Sequence, residues 1–163
     1  MSSTVPTLHL LCGKIAAGKS TLAADLVRTT GGILIAEDEW LNALFANEIS
    51  TASDYVKYTS KLRTVMGPHI ASLLNASVCV ILDFQANTVE SRSWMRGLLD
   101  NTNAQNQLHI LNTPDEICLE RLRERNARGN HPFAPTEEQF LQFSKFFEAP
   151  RPNEGFTIVH HRL

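Results

Sequence analysis

The sequence has no apolar run long enough to cross a membrane, so no membrane partner is expected. It has only three cysteines, Cys12, Cys79 and Cys118, with no C-x-x-C spacing among them. The odd count and the apolar neighbours of Cys12 and Cys79 argue against a disulfide scaffold. They read as small core residues in a reducing, cytoplasmic compartment. The six histidines follow no zinc-ligand spacing. Neither sign of charge is in excess: 15 Lys and Arg stand against 17 Asp and Glu, a net charge of −2. That balance excludes a general nucleic-acid coat and a basic membrane surface, so a nucleic acid is not the expected partner. A nucleic-acid end entering a pocket of two or three arginines needs no such excess and stays open. No basic segment precedes the short apolar run in MSSTVPTLHLLCG, which therefore reads as a strand and not as a signal peptide. Repeats, low-complexity tracts and breaks in composition are also missing, so residues 1–163 read as one domain. Nothing in the sequence marks an oligomeric state.

What is present is a regular alternation of short apolar runs and helical stretches. The runs LHLLC (8–12), GILIA (32–36), SVCVILDF (77–84), QLHILN (107–112) and FTIVH (156–160) read as strands. Helices are expected over 19–30, from Trp40 to Phe45, over 54–75 with a possible kink at Pro68, over 89–100, over 113–128 and from Thr136 onward. Thr113 is expected to cap its helix, with Pro114 in the first turn and Glu116 in the box position. Strands separated by helices predict an α/β sandwich around a mostly parallel sheet. Residues 47–55 and 126–136 are the expected mobile covers.

Between the first strand and its helix stands Gly13-Lys14-Ile15-Ala16-Ala17-Gly18-Lys19-Ser20, a full match to G-x-x-x-x-G-K-[S/T]. Such a loop wraps backbone N–H groups around a β-phosphate, at a helix start whose dipole favours negative charge. Lys19 is expected on the β- and γ-phosphates, and the Ser20 hydroxyl on Mg2+. Thr21 is close enough to assist, while Lys14 reads more simply as a solvent-facing lysine within the loop. No N-K-x-D guanine signature is present, which points to ATP. The base is expected near the 121–128 helix and the loop before the last strand.

In an open α/β sheet, ligands bind beyond the carboxyl ends of the strands. Asp38 follows the second strand and Asp83 ends the third. A phosphotransferase needs one carboxylate to orient or deprotonate the acceptor hydroxyl, and often another beside the metal. Asp38 suits the first role and Asp83 the second, with Glu37 and Glu39 competing for the place of Asp38. Arg121, Arg123, Arg125 and Arg128 run into a glycine- and proline-containing loop that also holds His131. Arg121 and Arg125 share a helix face and could close over a transferring phosphate, or could equally form surface pairs with Glu120 and Glu124. Arg92 and Arg96, with Trp94 and Trp40, are candidates for an acceptor pocket.

IAEDEWLNALF after the second strand, VILDFQANTVESR after the third, and ERLRERNA followed by FAPTEEQF give the chain a wider resemblance. From about residue 7 to 150 it resembles the small P-loop predicted kinases and ATP-binding proteins of the AAA_33 type. These are similar to the zeta-toxin, chloramphenicol phosphotransferase and polynucleotide kinase group. The resemblance implies a P-loop NTPase three-layer sandwich with a five-stranded sheet in the order 2-3-1-4-5 and a helical lid over about 121–136. It implies Asp38 as acceptor base, Asp83 near the metal, Arg121, Arg125 and Arg128 as lid residues, and Arg92 on the acceptor side. The chain departs from the pattern at Gln85 and Ala86, where family members more often carry glycine. The expected activity is ATP-dependent transfer of the γ-phosphate to a hydroxyl of a small molecule. The competing readings are an ATP-hydrolysing switch, with Gln85 nearest to a water-orienting position, and a nucleic-acid-end kinase.

Overall fold

A computed structural model describes residues 5–130 and 134–162. The elements run β1 (Thr7–Cys12), α1 (Lys19–Thr30), β2 (Ile33–Ala36), α2 (Glu37–Phe45), α3 (Ala52–Asn75), β3 (Val80–Asp83), α4 (Val89–Gly97), β4 (Gln105–Leu111), α5 (Asp115–Arg128), α6 (Glu137–Lys145) and β5 (Ile158–His161), with a short 3-10 turn at Pro152–Glu154. The five strands form one sheet in the order β2-β3-β1-β4-β5, and every neighbouring pair is parallel.

β1 lies at the centre and is covered on both faces, which is why its sequence is almost continuously apolar. Successive side chains alternate between the faces. Leu8, Leu10 and Cys12 join Leu82, Phe84, Met66, Ile70 and Met95 in the larger core, against α3 and α4. Leu11 turns the other way, with Ile81, onto Ala23, Leu22 and Leu26 of α1. A third, smaller cluster of Ala17, Cys118, Leu122 and Phe140 ties α5 and α6 to the glycine loop. The sheet between these helical layers makes the three-layer sandwich. Its register sets Ala36 opposite Asp83, Cys12 opposite Ile110 and Leu111 opposite His161. All five carboxyl ends therefore open on one edge, where the chemistry-bearing residues begin.

Several boundaries differ from the sequence expectation for identifiable reasons. α2 starts at Glu37, so the acidic trio is the helix's own first turn, where carboxylates suit the dipole. α3 starts at Ala52, because Thr51 and Asp54 form a capping box, and it runs unbroken through Pro68. β3 starts only at Val80: Ser77 has a left-handed backbone (φ 62), and Val78 N–H returns to Leu73 O at the end of α3. Thr113 does not cap α5. Its hydroxyl donates to Ala17 O at 2.8 Å, satisfying a loop carbonyl, and α5 begins at Asp115 without a side-chain cap. Thr136 does cap α6, in a box with Gln139. β5 extends to His161, one residue beyond the expected strand.

Candidate active site

The glycine loop folds from β1 into α1 as its motif requires. Gly18 has φ 107, a conformation that L side chains rarely adopt, and it serves as the N-cap of α1. A Cβ at Gly13 would be tight, 3.1 Å from Ala17 Cβ and 3.3 Å from Leu111 Cβ, so its neighbours would have to give by a few tenths of an ångström. Lys19 Nζ donates to Gly13 O at 2.7 Å and Lys14 O at 2.9 Å, so its ammonium is held at the mouth of the loop. Burial pulls the Lys19 pKa down, while the carboxylates of Asp83 and Asp38 act against that shift. Lys14 turns away and pairs with Asp115 at 2.8 Å.

Ser20 Oγ donates to Asp83 Oδ2 at 3.1 Å. A hydroxyl and a carboxylate side by side are oxygen donors of the kind a hard divalent cation takes. Magnesium is commonly held by one or two protein oxygens, with phosphates and water completing the shell. The described residues contain no cluster of three or more His, Cys, Asp or Glu that would hold a metal unaided.

The acidic turn of α2 divides its labour. Glu37 points inward, only 3% exposed, and takes a fork from Arg63: Nε donates to Oε2 at 2.8 Å and Nη2 to Oε1 at 3.2 Å. Burial pushes the Glu37 carboxyl up, and Arg63 pulls it back. Asp38 is half-buried and accepts from Tyr55 OH at 3.4 Å. Burial, followed by the Asp38 and Glu37 charges, raises the Tyr55 phenol, so it stays a donor. Glu39 is exposed.

Across from these acids, Arg121, Arg125 and Arg128 of α5 line the same cleft, of about 1010 Å³, with the loop, Ser20, Thr21, Asp38, Glu39 and Asp83. Arg121 Nη1 donates to Ala17 O at 3.3 Å. Arg125 has a pKa lowered by burial and supported by the Asp38 charge. Its buried Nε has no hydrogen-bond partner among the described residues. Arg123 turns out of the cleft to pair with Glu137 of α6. His131, within the expected lid, lies outside the described residues. The cleft continues past Leu111 to His161 and Arg162 on the far side of the loop.

A second cleft of about 580 Å³ meets the first at Glu37 and Gln85. Tyr55, Thr59, Arg63, Asn87 and Trp94 are among its walls. The Arg63 guanidinium lies 4.9 Å from the Trp94 ring centroid and 5.7 Å from that of Phe84. Arg92, given an acceptor-side place by the family resemblance, reaches neither cleft. It is fully buried, forks onto Glu154 at 2.5 and 3.1 Å, and donates from Nη1 to Ala86 O at 3.0 Å and Glu148 O at 2.8 Å. With these donors engaged, it staples the turn after β3 to the segment before β5. Trp40 is exposed and borders neither cleft.

Sequence reasoning missed Arg63 and Asn87. The Asn87 side chain makes a two-way amide bond with the first loop glycine, accepting from Gly13 N at 2.9 Å and donating to Gly13 O at 2.8 Å. It fixes the start of the loop against the turn after Asp83. The signal available was its place inside the DFQAN stretch. For Arg63 there was none beyond its position on α3.

No curated protein matches the sequence. Solved structures share the fold at low identity. A candidate kinase from Chloroflexus aurantiacus j-10-fl has a TM-score of 0.75 at 19% identity, covering 96% of this chain and 88% of its own. A sugar kinase from Janibacter sp. HTCC2649 has a TM-score of 0.64 at 19% identity, with 96% and 86% covered. A chain of the Pnkp1/Rnl/Hen1 RNA repair complex has a TM-score of 0.65 at 22% identity, with 90% of this chain and 49% of that one covered. The last overturns the expectation, drawn from charge balance, that a nucleic acid is not a partner: the same fold occurs in an RNA repair assembly, and overall charge does not exclude such a substrate. Among the described residues no helix is long and apolar enough to cross a membrane. The family model described as AAA domain, AAA_33, matches residues 8–150, and the chain belongs to that family.

Proposed function

We propose that the chain is an ATP-dependent phosphotransferase that moves the γ-phosphate to an acceptor hydroxyl. The observation that carries this reading is the cleft itself: Asp38 faces it from one side of the phosphate loop, and Arg121, Arg125 and Arg128 from the other. The loop amides and Lys19 hold the β- and γ-phosphates. Ser20 and Asp83 supply the oxygens that hold Mg2+, which when bound neutralises phosphate charge. Asp38, steadied by Tyr55, accepts the acceptor's proton as its oxygen attacks the γ-phosphorus. Arg125, whose buried Nε lacks a partner among the described residues, stabilises charge that develops on the transferring phosphoryl group.

In-line displacement sets the attacking and leaving oxygens on opposite sides of the phosphorus. With Asp38 on the β2 side of the loop, the acceptor enters from that side, through the second cleft. Its lining of hydroxyls, amides and Trp94 suits a hydroxyl-bearing molecule. Both a sugar-like small molecule and a polynucleotide 5′ end meet that description, and the structural neighbours include a sugar kinase and a chain of an RNA repair complex. The three free cysteines fit a reducing compartment such as the cytoplasm.

The test is ATP consumption against a panel of sugars, other polyols and 5′-hydroxyl oligonucleotides, with Asp38→Asn in parallel. Acceptor-stimulated turnover is expected to fall about 10²- to 10⁴-fold in the variant, the usual contribution of a positioned base. Turnover without any acceptor, unchanged in Asp38→Asn, would instead establish hydrolysis, with exposed Gln85 on the cleft wall as the residue to examine next.

A further inference from the structure

Tyr55, Thr59 and Arg63 stand at four-residue intervals along α3 and so share one face of the helix. All three line the second cleft. The outer two reach across to the acidic turn of α2. Tyr55 OH donates to Asp38 Oδ1 at 3.4 Å, and Arg63 forks onto Glu37. The middle one makes no such bond: Thr59 Oγ1 is buried and has no hydrogen-bond partner among the described residues.

A hydroxyl inside a helix can turn back onto a carbonyl of the preceding turn. On α3 itself, Thr64 Oγ1 donates to Ser60 O at 2.9 Å and Ser72 Oγ to Pro68 O at 3.0 Å. On α1, Thr30 Oγ1 donates to Leu26 O at 2.7 Å. Thr59 lacks that bond, and an unpaired buried hydroxyl destabilises the fold that holds it. A partner entering the cleft removes that cost.

Neighbouring polar groups of the cleft are already engaged. Asn87 uses both ends of its amide on Gly13, and the Thr88 hydroxyl caps α4. Tyr55 and Arg63 hold the two carboxylates of α2. Of the three residues on this face, Thr59 is therefore the one whose donor and acceptor are both left for a ligand. A helical threonine has two accessible χ1 rotamers, so rotation about one bond carries the hydroxyl from beneath the wall to its surface. An acceptor that enters through the second cleft to reach Asp38 passes along this face.

We propose that Thr59 is a specificity-setting contact for the phosphate acceptor, and that the acceptor is a polyhydroxylated molecule. One of its hydroxyls is presented to Asp38, and a second hydrogen-bonds Thr59 Oγ1. The inference rests on the phosphotransferase reading of the site.

The test uses the free sugar or 5′-hydroxyl oligonucleotide that most stimulates ATP consumption by the wild type. The arm in which it falls tells a small polyol from a nucleic-acid end. Thr59→Val keeps the shape and removes the hydroxyl. It is expected to raise KM for that acceptor about three- to tenfold, the range of one net neutral hydrogen bond, with KM for ATP unchanged. Thr59→Ser, which keeps the hydroxyl, should stay close to the wild type. The urea midpoint of Thr59→Val should equal or exceed the wild-type value, because the free protein loses an unpaired group. Binding is read apart from turnover by Trp94 fluorescence in a Trp40→Phe background, since Trp94 lines the second cleft and Trp40 borders neither. The dissociation constant of the acceptor should shift by the same factor as KM. The mono-deoxy analogue that lacks the contacted hydroxyl should bind the wild type and Thr59→Val equally. An unchanged acceptor constant, an equal rise in KM for ATP, a Thr59→Ser as impaired as Thr59→Val, or a lowered urea midpoint overturns the inference. So does a full series of mono-deoxy analogues that all still distinguish the two proteins. A panel member that perturbs Trp94 without stimulating turnover overturns the phosphotransferase reading, and its dissociation constants then decide the Thr59 contact by themselves. A wild type that binds no panel member overturns both.

Discussion

Among the described residues, two forked arginine–glutamate pairs look alike and differ in consequence. Arg92 and Glu154 join the turn after β3 to the chain before β5, with Arg92 wholly sealed from solvent and Glu154 at 13% side-chain exposure. Glu37 lines both clefts and Arg63 only the second, with Arg63 at 18% side-chain exposure and Glu37 at 3%. The burials are inverted: the first pair hides its cation, and the second hides its anion. An arginine cannot shed its charge, whereas a buried glutamate can take up a proton. The first pair is therefore the rigid one. The second can respond to what enters beside it.

The largest expected effect is on the first pair. Glu154→Ala leaves Arg92 charged and without its carboxylate, and should cost about 3–5 kcal/mol of stability in urea denaturation. Turnover per folded molecule should stay at the wild-type level. A large loss of turnover with intact stability would break the comparison.

A smaller effect is expected at the second pair. Arg63→Ala leaves Glu37 buried, but protonation relieves the charge, so the cost should be about 1–3 kcal/mol. The functional readout should be more pronounced: KM for the acceptor should rise while KM for ATP holds, because Arg63 borders the second cleft and not the loop. Equal changes in both constants would remove Arg63 from the acceptor side.

The subtlest effect is in pH. Glu154 has its pKa lowered from 4.5 by Arg92. Its contribution is full above the unfolded value and disappears as pH falls through the folded one. The stability gap between wild type and Glu154→Ala should therefore close below 4.5. Glu37 has its pKa raised from 4.5 by burial, and further once Arg63 is gone. The gap between wild type and Arg63→Ala should open only as pH rises through the raised wild-type value, on the alkaline side of 4.5, where the wild type ionises a paired Glu37 and the variant must keep a proton on it. Denaturation midpoints across pH 3–7 would separate the two windows. Overlap of the windows would mean that the pairs do not differ as their burials imply.

The comparison also explains what was legible in the sequence. Arg92 was an acceptor-pocket candidate because it follows the third strand by one or two helical turns, yet its partner is Glu154, 62 residues away. Arg63 carried no signal, because what gives it a role is Glu37, 26 residues away on another helix. Thr113 read as a cap from its neighbours, but a loop carbonyl 96 residues distant claims its hydroxyl. Asn87 acts on Gly13 across 74 residues. The mostly parallel sheet was more accessible, since apolar runs separated by helices leave few ways to connect, and the strand order was what the family resemblance implied.

The phosphate loop is the part the sequence determines by itself. Its function needs consecutive backbone amides, a glycine at positive φ and a lysine one residue on, all within Gly13–Ser20. Asp38 and Asp83 are nearly as local, because the end of a strand is visible where an apolar run stops. Only the tertiary structure decided which arginine borders a cleft, that Asn87 and Thr113 brace the loop, and that Tyr55 and Arg63 reach across to α2 on either side of Thr59. Those roles depend on pairing between distant segments. Local pattern cannot report them, because the energy of a hydrogen bond depends on which partner the fold brings within 3 Å and on how little water remains there.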